Sequence, residues 1–411
     1  MNDLLKTFRQ ELLDELEHDI LPFWTERVMA PAERRFYGRI AGDGTLYPDA
    51  DQSAVLYGRL IWTFSAAYRM TGRRELLLPA TCARNYLLDH FIDPEFGGVY
   101  WSVRADGTPA DTRKQFYALG FAIYGLSEYA RATDDARAAK EAWRLFETIE
   151  AHSFDLQNDG YLEAAARDWS PLEDVRLSDK DANEHKTMNT HLHILEGYAN
   201  LLRLYPSEER LRSQTRHLLE LFFTRIVTPD GHLGLFFDET WHDRHPGDIS
   251  FGHDIEASWL LFRTAQTLGD DELLGRARSC CARIAEAALE GYRPDGSMIY
   301  ERHADGSIDG ERHWWVQAET VIGLYYLYRY FGRAEAIEDS MRTWKYIRTH
   351  LIDREGGEWW WSILPDGTVN RRNDKAGFWK CPYHNARMCM EVTTLIERED
   401  GRPPHRATPI G

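Results

Sequence analysis

The chain has 411 residues and a formal net charge of −17. That charge repels phosphate backbones and anionic lipid, and no Lys/Arg cluster offsets it locally, so nucleic acid and membrane surfaces are not expected partners. Hydrophobic residues make up 43% and aromatics 13%, with 14 Trp and 20 Tyr, which fits a folded protein with a large core and aromatic interior surfaces.

At the N-terminus, Met1 to Met29 alternates charges with Leu4, Leu5, Leu12, Leu13, Leu16 and Ile20. This reads as an amphipathic helix and lacks the unbroken apolar run of a signal peptide. No stretch of about twenty apolar residues is present to span a membrane. The five cysteines, Cys82, Cys280, Cys281, Cys381 and Cys389, include no CxxC. Reduced thiols and a cytoplasmic location are the expectation.

Helical periodicity then falls at about 2–27, 53–72, 74–91, 113–132, 134–153, 186–204, 207–226, 251–268, 270–289, 312–331, 333–351 and 381–396. These twelve segments come in pairs. After several pairs a Gly-rich turn leads into a short aromatic strand, as in Phe96-Gly97-Gly98-Val99-Tyr100-Trp101, Asp159-Gly160-Tyr161 and Gly356-Gly357-Glu358-Trp359. Gly97, Gly296 and Gly357 are each followed ten residues later by the glycine of an Asp-Gly turn (Gly107, Gly306, Gly367), the mark of a β-hairpin. An internal repeat of about 60 to 70 residues, traversed about six times, follows. The expected fold is all-α, an (α/α)6 barrel of about twelve helices with short hairpins at one end, formed by residues 1–411 as a single catalytic domain. An open solenoid of helix pairs has the same sequence period.

In a closed barrel the first turns of every second helix face one end of the axial cavity. The inner segments carry matching polar anomalies there: Arg59 with Trp62, Asn189 with His193, His253 with Glu256 and Trp259, Trp315 with Glu319, and Trp379 followed by His384. His253 and Glu256 stand three apart and project side by side. An imidazole oriented by a carboxylate is what proton transfer needs, although a core histidine satisfied by an acid gives the same pattern. Pro382 sets His384 at the start of the last helix, near a positive helix end that disfavours its imidazolium. Trp315 and Trp379 are suited to stack on sugar rings, though plain core is the alternative.

His191 and His193 are two apart and point to different faces, and His242 and His245 sit in a polar loop, so no catalytic metal is expected. The Gly-Gly pairs open strands and do not precede helices, so no nucleotide cofactor is expected either.

The motifs Arg59-Leu60-Ile61-Trp62-Thr63-Phe64, Met188-Asn189-Thr190-His191-Leu192-His193, Gly252-His253-Asp254-Ile255-Glu256-Ala257-Ser258-Trp259, Trp314-Trp315-Val316-Gln317-Ala318-Glu319 and Phe378-Trp379-Lys380-Cys381-Pro382-Tyr383-His384-Asn385 resemble the N-acylglucosamine 2-epimerase superfamily, and within it the cellobiose 2-epimerases. The resemblance runs over essentially the whole chain. It implies inversion at C2 of a reducing-end sugar, without a cofactor, through an enediolate. Carried over by motif, His253 and His384 are the acid/base pair, Glu256 tunes His253, and Arg59 stabilises the developing oxyanion. Asn189, His193, Trp315, Glu319, Trp379, Tyr57 and Trp259 line the sugar site, with Asp181 toward the second ring.

Tyr57 departs from the asparagine expected there, which keeps a monosaccharide reading open: a mannose 2-epimerase, or a mannose/glucose–fructose isomerase. An inverting glycoside hydrolase built on Glu256 and Glu319, and a non-enzymatic sugar- or protein-binding member, are the competing classes. A small-molecule sugar is the expected partner, and a monomer or weak homodimer the expected state.

Overall fold

A computed structural model of the protein describes residues 3–399. Six helices form an inner ring: α3 (Ala54–Thr71), α5 (Phe116–Thr133), α7 (Met188–Leu204), α9 (Phe251–Leu268), α11 (Trp314–Tyr330) and α13 (Tyr383–Glu399). Each packs on the next, and α13 packs on α3, so the ring closes and the open solenoid is excluded. Outside it lie α4 (Leu77–Tyr86), α6 (Ala136–His152), α8 (Glu209–Leu221), α10 (Asp271–Ala288) and α12 (Ala336–Tyr346), with α1 (Asp3–Glu15) against α13.

The two layers differ as burial requires. Helix α3 is buried on nearly every face, whereas α6 buries one stripe, Ala138, Ala142, Leu145, Phe146 and Ile149. Three inner helices approach backbone to backbone through glycine. A Cβ on Gly58 would stand 2.6 Å from the Phe121 carbonyl oxygen, and one on Gly197 would stand 2.6 Å from that of Gly120, far inside van der Waals contact. Any larger residue would push α3, α5 and α7 apart.

The hairpins expected around Gly107 and Gly306 are present, pairing 102–103 with 109–111 and 301–302 with 308–309. A regularity the sequence did not reveal joins them. The two residues before each of five inner helices form a strand, and that strand pairs with one following the outer helix of the same repeat: 52–53 with 102–103, 114–115 with 164–165, 186–187 with 236–237, 249–250 with 301–302, and 312–313 with 362–363. These clasps pin the N-termini of the inner helices to one end of the barrel. Helix α3 then starts on the Ser53 side chain, which accepts from Leu56 N at 2.9 Å, and α7 on Thr187, which accepts from Thr190 N at 3.1 Å.

Candidate active site

Inner-helix N-termini that share one end of a ring bring their first-turn side chains to its axis. Helices α7, α9, α11 and α13 each contribute one charged residue one to two turns in: Glu196, Glu256, Glu319 and Arg387. The Arg387 guanidinium donates from Nη1 to Glu196 Oε1 at 2.5 Å and from Nη2 to the Oε1 atoms of Glu256 and Glu319 at 2.6 Å each. Its plane lies over the Trp259 ring at 4.7 Å and the Tyr383 ring at 4.1 Å. One buried cation thus binds three buried carboxylates, an arrangement tolerable only because every contact is a charge-assisted hydrogen bond.

This hub orients two imidazoles. His384 Nδ1 donates to Glu319 Oε1 at 2.6 Å, and His193 Nδ1 donates to Glu196 Oε2 at 2.9 Å. With Nδ1 carrying the proton, Nε2 of each ring is the free basic nitrogen. Glu319 has its other oxygen taken by Trp259 Nε1 at 2.9 Å. Glu196 also accepts from the Tyr383 hydroxyl at 2.5 Å.

His253 is held differently. The expectation that Glu256 secures it is corrected: Nδ1 of His253 meets Ser250 Oγ at 2.8 Å, while Glu256 turns to Arg387. A carboxylate gains more from a buried guanidinium than from a neutral imidazole, so the long-range contact overrides the i,i+3 one. His253 and His384 nonetheless pack against the same ring, Trp315, at centroid separations of 4.9 and 5.5 Å.

Burial drives the titration of these groups. It lowers His253 to about 3, with His193 adding a smaller push, and it lowers His384 well below the usual imidazole range, helped by Arg59 and Arg387. Both are neutral at neutral pH. Burial, with Glu319 next to it, raises Glu256 to about 7. Burial would raise Glu196 as well, but Arg387 and the His193 hydrogen bond overcome it and hold Glu196 at about 2.

Arg59 lies on the α3–α5 side, donating to the Trp379 carbonyl at 3.2 Å and to the Tyr117 hydroxyl at 2.9 Å, over the Phe121 ring at 4.2 Å. Its Nε has no partner among the described residues, and neither has buried Asn189 Oδ1; buried polar atoms of this kind ordinarily find one. Asn189, Asp181 and His253 line one cavity of about 390 Å³, together with Glu163, Tyr300 and Glu301. Trp379 is half-buried beside Trp101 and Tyr117.

Three other expected sugar contacts are not in that position. Tyr57 is fully buried on the outer side of α3, stacked on Tyr86 at 4.7 Å with its hydroxyl tied to Gln52 and Phe36, because two residues along a helix separate it from the face that carries Arg59. Trp259 and Glu319, at 1% and 0% exposure, stand behind His384 and Arg387 and support them. Conversely, Arg387, Glu196, Tyr117, Tyr383 and Ser250 escaped sequence reasoning. A signal existed: His193-x-x-Glu196, His253-x-x-Glu256 and His384-x-x-Arg387 share one spacing, and in the third the acid is replaced by a cation.

Among the described residues, Glu256, Glu319 and His384 alone have ligand atoms close enough to share a metal ion, all within 4.8 Å. Arg387 already donates to both carboxylate oxygens concerned, so a cation occupies that place. No helix of the described residues is long and apolar enough to cross a membrane.

A closed (α/α)6 ring with carboxylate-backed imidazoles at its axis is a frame able to move protons, and sequence comparison identifies the enzymes that share it. The N-acylglucosamine 2-epimerase (GlcNAc 2-epimerase) family matches residues 36–387. The chain is 53% identical to a cellobiose 2-epimerase of Bacteroides fragilis, over 95% of this chain and 99% of that one, and 38% identical to one of Ruminococcus albus, over 95% and 98%. The structure of cellobiose 2-epimerase from Spirochaeta thermophila superposes with a TM-score of 0.91 at 38% identity, covering 97% of this chain and 98% of that one. The chain belongs to the N-acylglucosamine 2-epimerase family, in its cellobiose 2-epimerase branch, and is an isomerase.

Proposed function

We propose that the protein, acting as one catalytic domain, inverts C2 of the reducing-end glucose unit of cellobiose and related β-1,4-disaccharides. The observation that carries the mechanism is the pair of neutral imidazoles, His253 and His384, that both pack against Trp315. One takes the C2 proton on Nε2 and becomes imidazolium; the electron pair left behind delocalises onto the C1 carbonyl oxygen as an enediolate. The other, having drawn a proton from solvent onto its Nε2, delivers it to the opposite face of C2 and is left neutral, while the first gives its proton back to solvent. In the reverse direction the two exchange roles, so the product is an epimer mixture.

Arg59 stabilises the charge that grows on the open-chain oxygens, and its unpartnered Nε supports that role. Asn189 and His193 bind sugar hydroxyls and assist ring opening. Trp315 and Trp379 stack on the rings, and Asp181 meets the second ring across the 390 Å³ cavity. The monosaccharide alternative drew on Tyr57, and with that side chain packed outward the substitution there no longer argues for it. A hydrolase is disfavoured because Glu256 and Glu319 share one guanidinium nitrogen, leaving no room for the roughly 6.5–9.5 Å gap of an inverting pair.

Incubation with cellobiose in deuterated water, read by NMR, tests the proposal. Glucosylmannose should form with solvent deuterium at C2 of both epimers and no free glucose. Release of glucose would mean hydrolysis, and an untouched C2 proton would mean binding without catalysis.

A further inference from the structure

The opposite end of the barrel, where the inner helices finish, holds a second cavity of about 340 Å³. In a chain of net charge −17 its lining is unexpectedly cationic. Arg69, Arg131, Arg203, Arg263 and Arg398 converge there from α3, α5, α7, α9 and α13, and Arg387 closes the inner end with its charge already committed to the hub.

The carboxylates in the lining do not balance them. Glu128 accepts from both Arg69 and Arg131 at 2.6 Å, Glu391 is bound by Arg263, and Glu397 is occupied by Arg9 at 2.5 Å. Arg203 makes no ion pair among the described residues and gives one hydrogen bond to a side chain, Thr267 Oγ1 at 3.3 Å. Arg398 has no ion pair among them either. Helix C-termini attract cations at their last turns, which accounts for an arginine near each end. It accounts for the position of Arg203 in the last turn of α7, but not for a side chain that lines a shared cavity with no carboxylate partner among the described residues, where burial, Arg263 and Arg131 together lower its pKa to about 9. Neighbouring guanidiniums that repel one another are relieved by an anion able to accept from several of them at once, and tetrahedral oxyanions fit that fork geometry.

We propose that this cavity is a binding site for a phosphate group, either free phosphate or a phosphate monoester, held by Arg203, Arg131 and Arg398 and distinct from the sugar site at the other end of the axis.

Calorimetric titration of the full chain with inorganic phosphate, and separately with glucose 6-phosphate, tests this, with sodium chloride at matched ionic strength as the control. Saturable binding of one ligand per chain is expected, weakened about tenfold by Arg203→Gln and by Arg398→Gln, the scale of one lost charge-assisted hydrogen bond. Tighter binding of the ester identifies a phosphorylated metabolite, and equal or tighter binding of phosphate identifies the free ion. Arg398 is exposed, so its replacement keeps the test open if Arg203→Gln fails to fold. No saturable heat with either ligand, equal displacement by chloride, or wild-type affinity in the folded variants overturns the proposal.

Discussion

Replacing Arg387 by methionine removes the cation and keeps most of the side-chain volume, so it isolates the electrostatics of the hub. Glu196 is held at about 2 against an ordinary 4.5, which stabilises the fold by about 3 kcal/mol wherever the pH lies above 4.5. Glu256 is displaced the other way, to about 7, so its ionised form costs about 3 kcal/mol above that pH. The two nearly cancel in the native protein. Without Arg387 the Glu196 contribution is lost and all three carboxylates repel one another, for an expected loss of about 3–5 kcal/mol near pH 8.

The sign of the pH dependence follows. In the variant each carboxyl has a folded pKa raised above its unfolded value, so acidification protonates it and returns stability. The gap from wild type should therefore narrow between about pH 8 and pH 5, because Glu196 in the wild type gains nothing over that range. Urea unfolding followed by tryptophan fluorescence at both pH values measures it. A gap below about 1 kcal/mol near pH 8, or one that stays constant on acidification, refutes the reasoning that one guanidinium holds the three acids together.

His384→Ala should abolish deuterium exchange at C2 while leaving the far-ultraviolet circular dichroism of the wild type; retained exchange would take His384 out of the acid/base pair. Tyr57→Asn should cost about 3–5 kcal/mol, because it opens a buried aromatic stack and strands an amide, yet leave the ratio of kcat/KM for cellobiose over mannose within about twofold, since the ring does not reach the sugar cavity. A change in that ratio beyond about tenfold, more than 1.4 kcal/mol of discrimination, would place Tyr57 in the specificity pocket.

Helix positions were legible because the apolar period and the caps are local. Ser53, Thr187 and the Gly72 turn at φ 71° all act within a few residues of the ends they set. Closure of the ring was not, since it depends on Gly58 meeting Phe121 and on α13 meeting α3, contacts no sequence window contains. The site divides in the same way. The inner-helix positions of His193, His253 and His384 were readable, but the contacts that tie them into one site span the chain: Glu319 is 65 residues from His384, and Arg387 is 131 from Glu256. The i,i+3 rule even pointed to the wrong pair. It holds in α7, where His193 meets Glu196, and fails in α9, where the guanidinium outcompetes the imidazole for Glu256.

That failure separates the two proposed bases chemically. His384 has a carboxylate on Nδ1 and His253 a hydroxyl, so only His384 gains a full charge–charge interaction when it becomes imidazolium. Glu319→Gln keeps a hydrogen-bond acceptor at His384 and removes the charge; Ser250→Ala removes the hydroxyl partner of His253, where there was no charge to lose. The first should lower kcat about 100-fold or more and the second only about tenfold, with KM little changed in either, because both act through the ring and not on the sugar. Steady-state rates on cellobiose in both directions give the comparison. If the two substitutions cost the same, the charge on Glu319 contributes nothing beyond orientation, and the difference in Nδ1 partners carries no catalytic meaning.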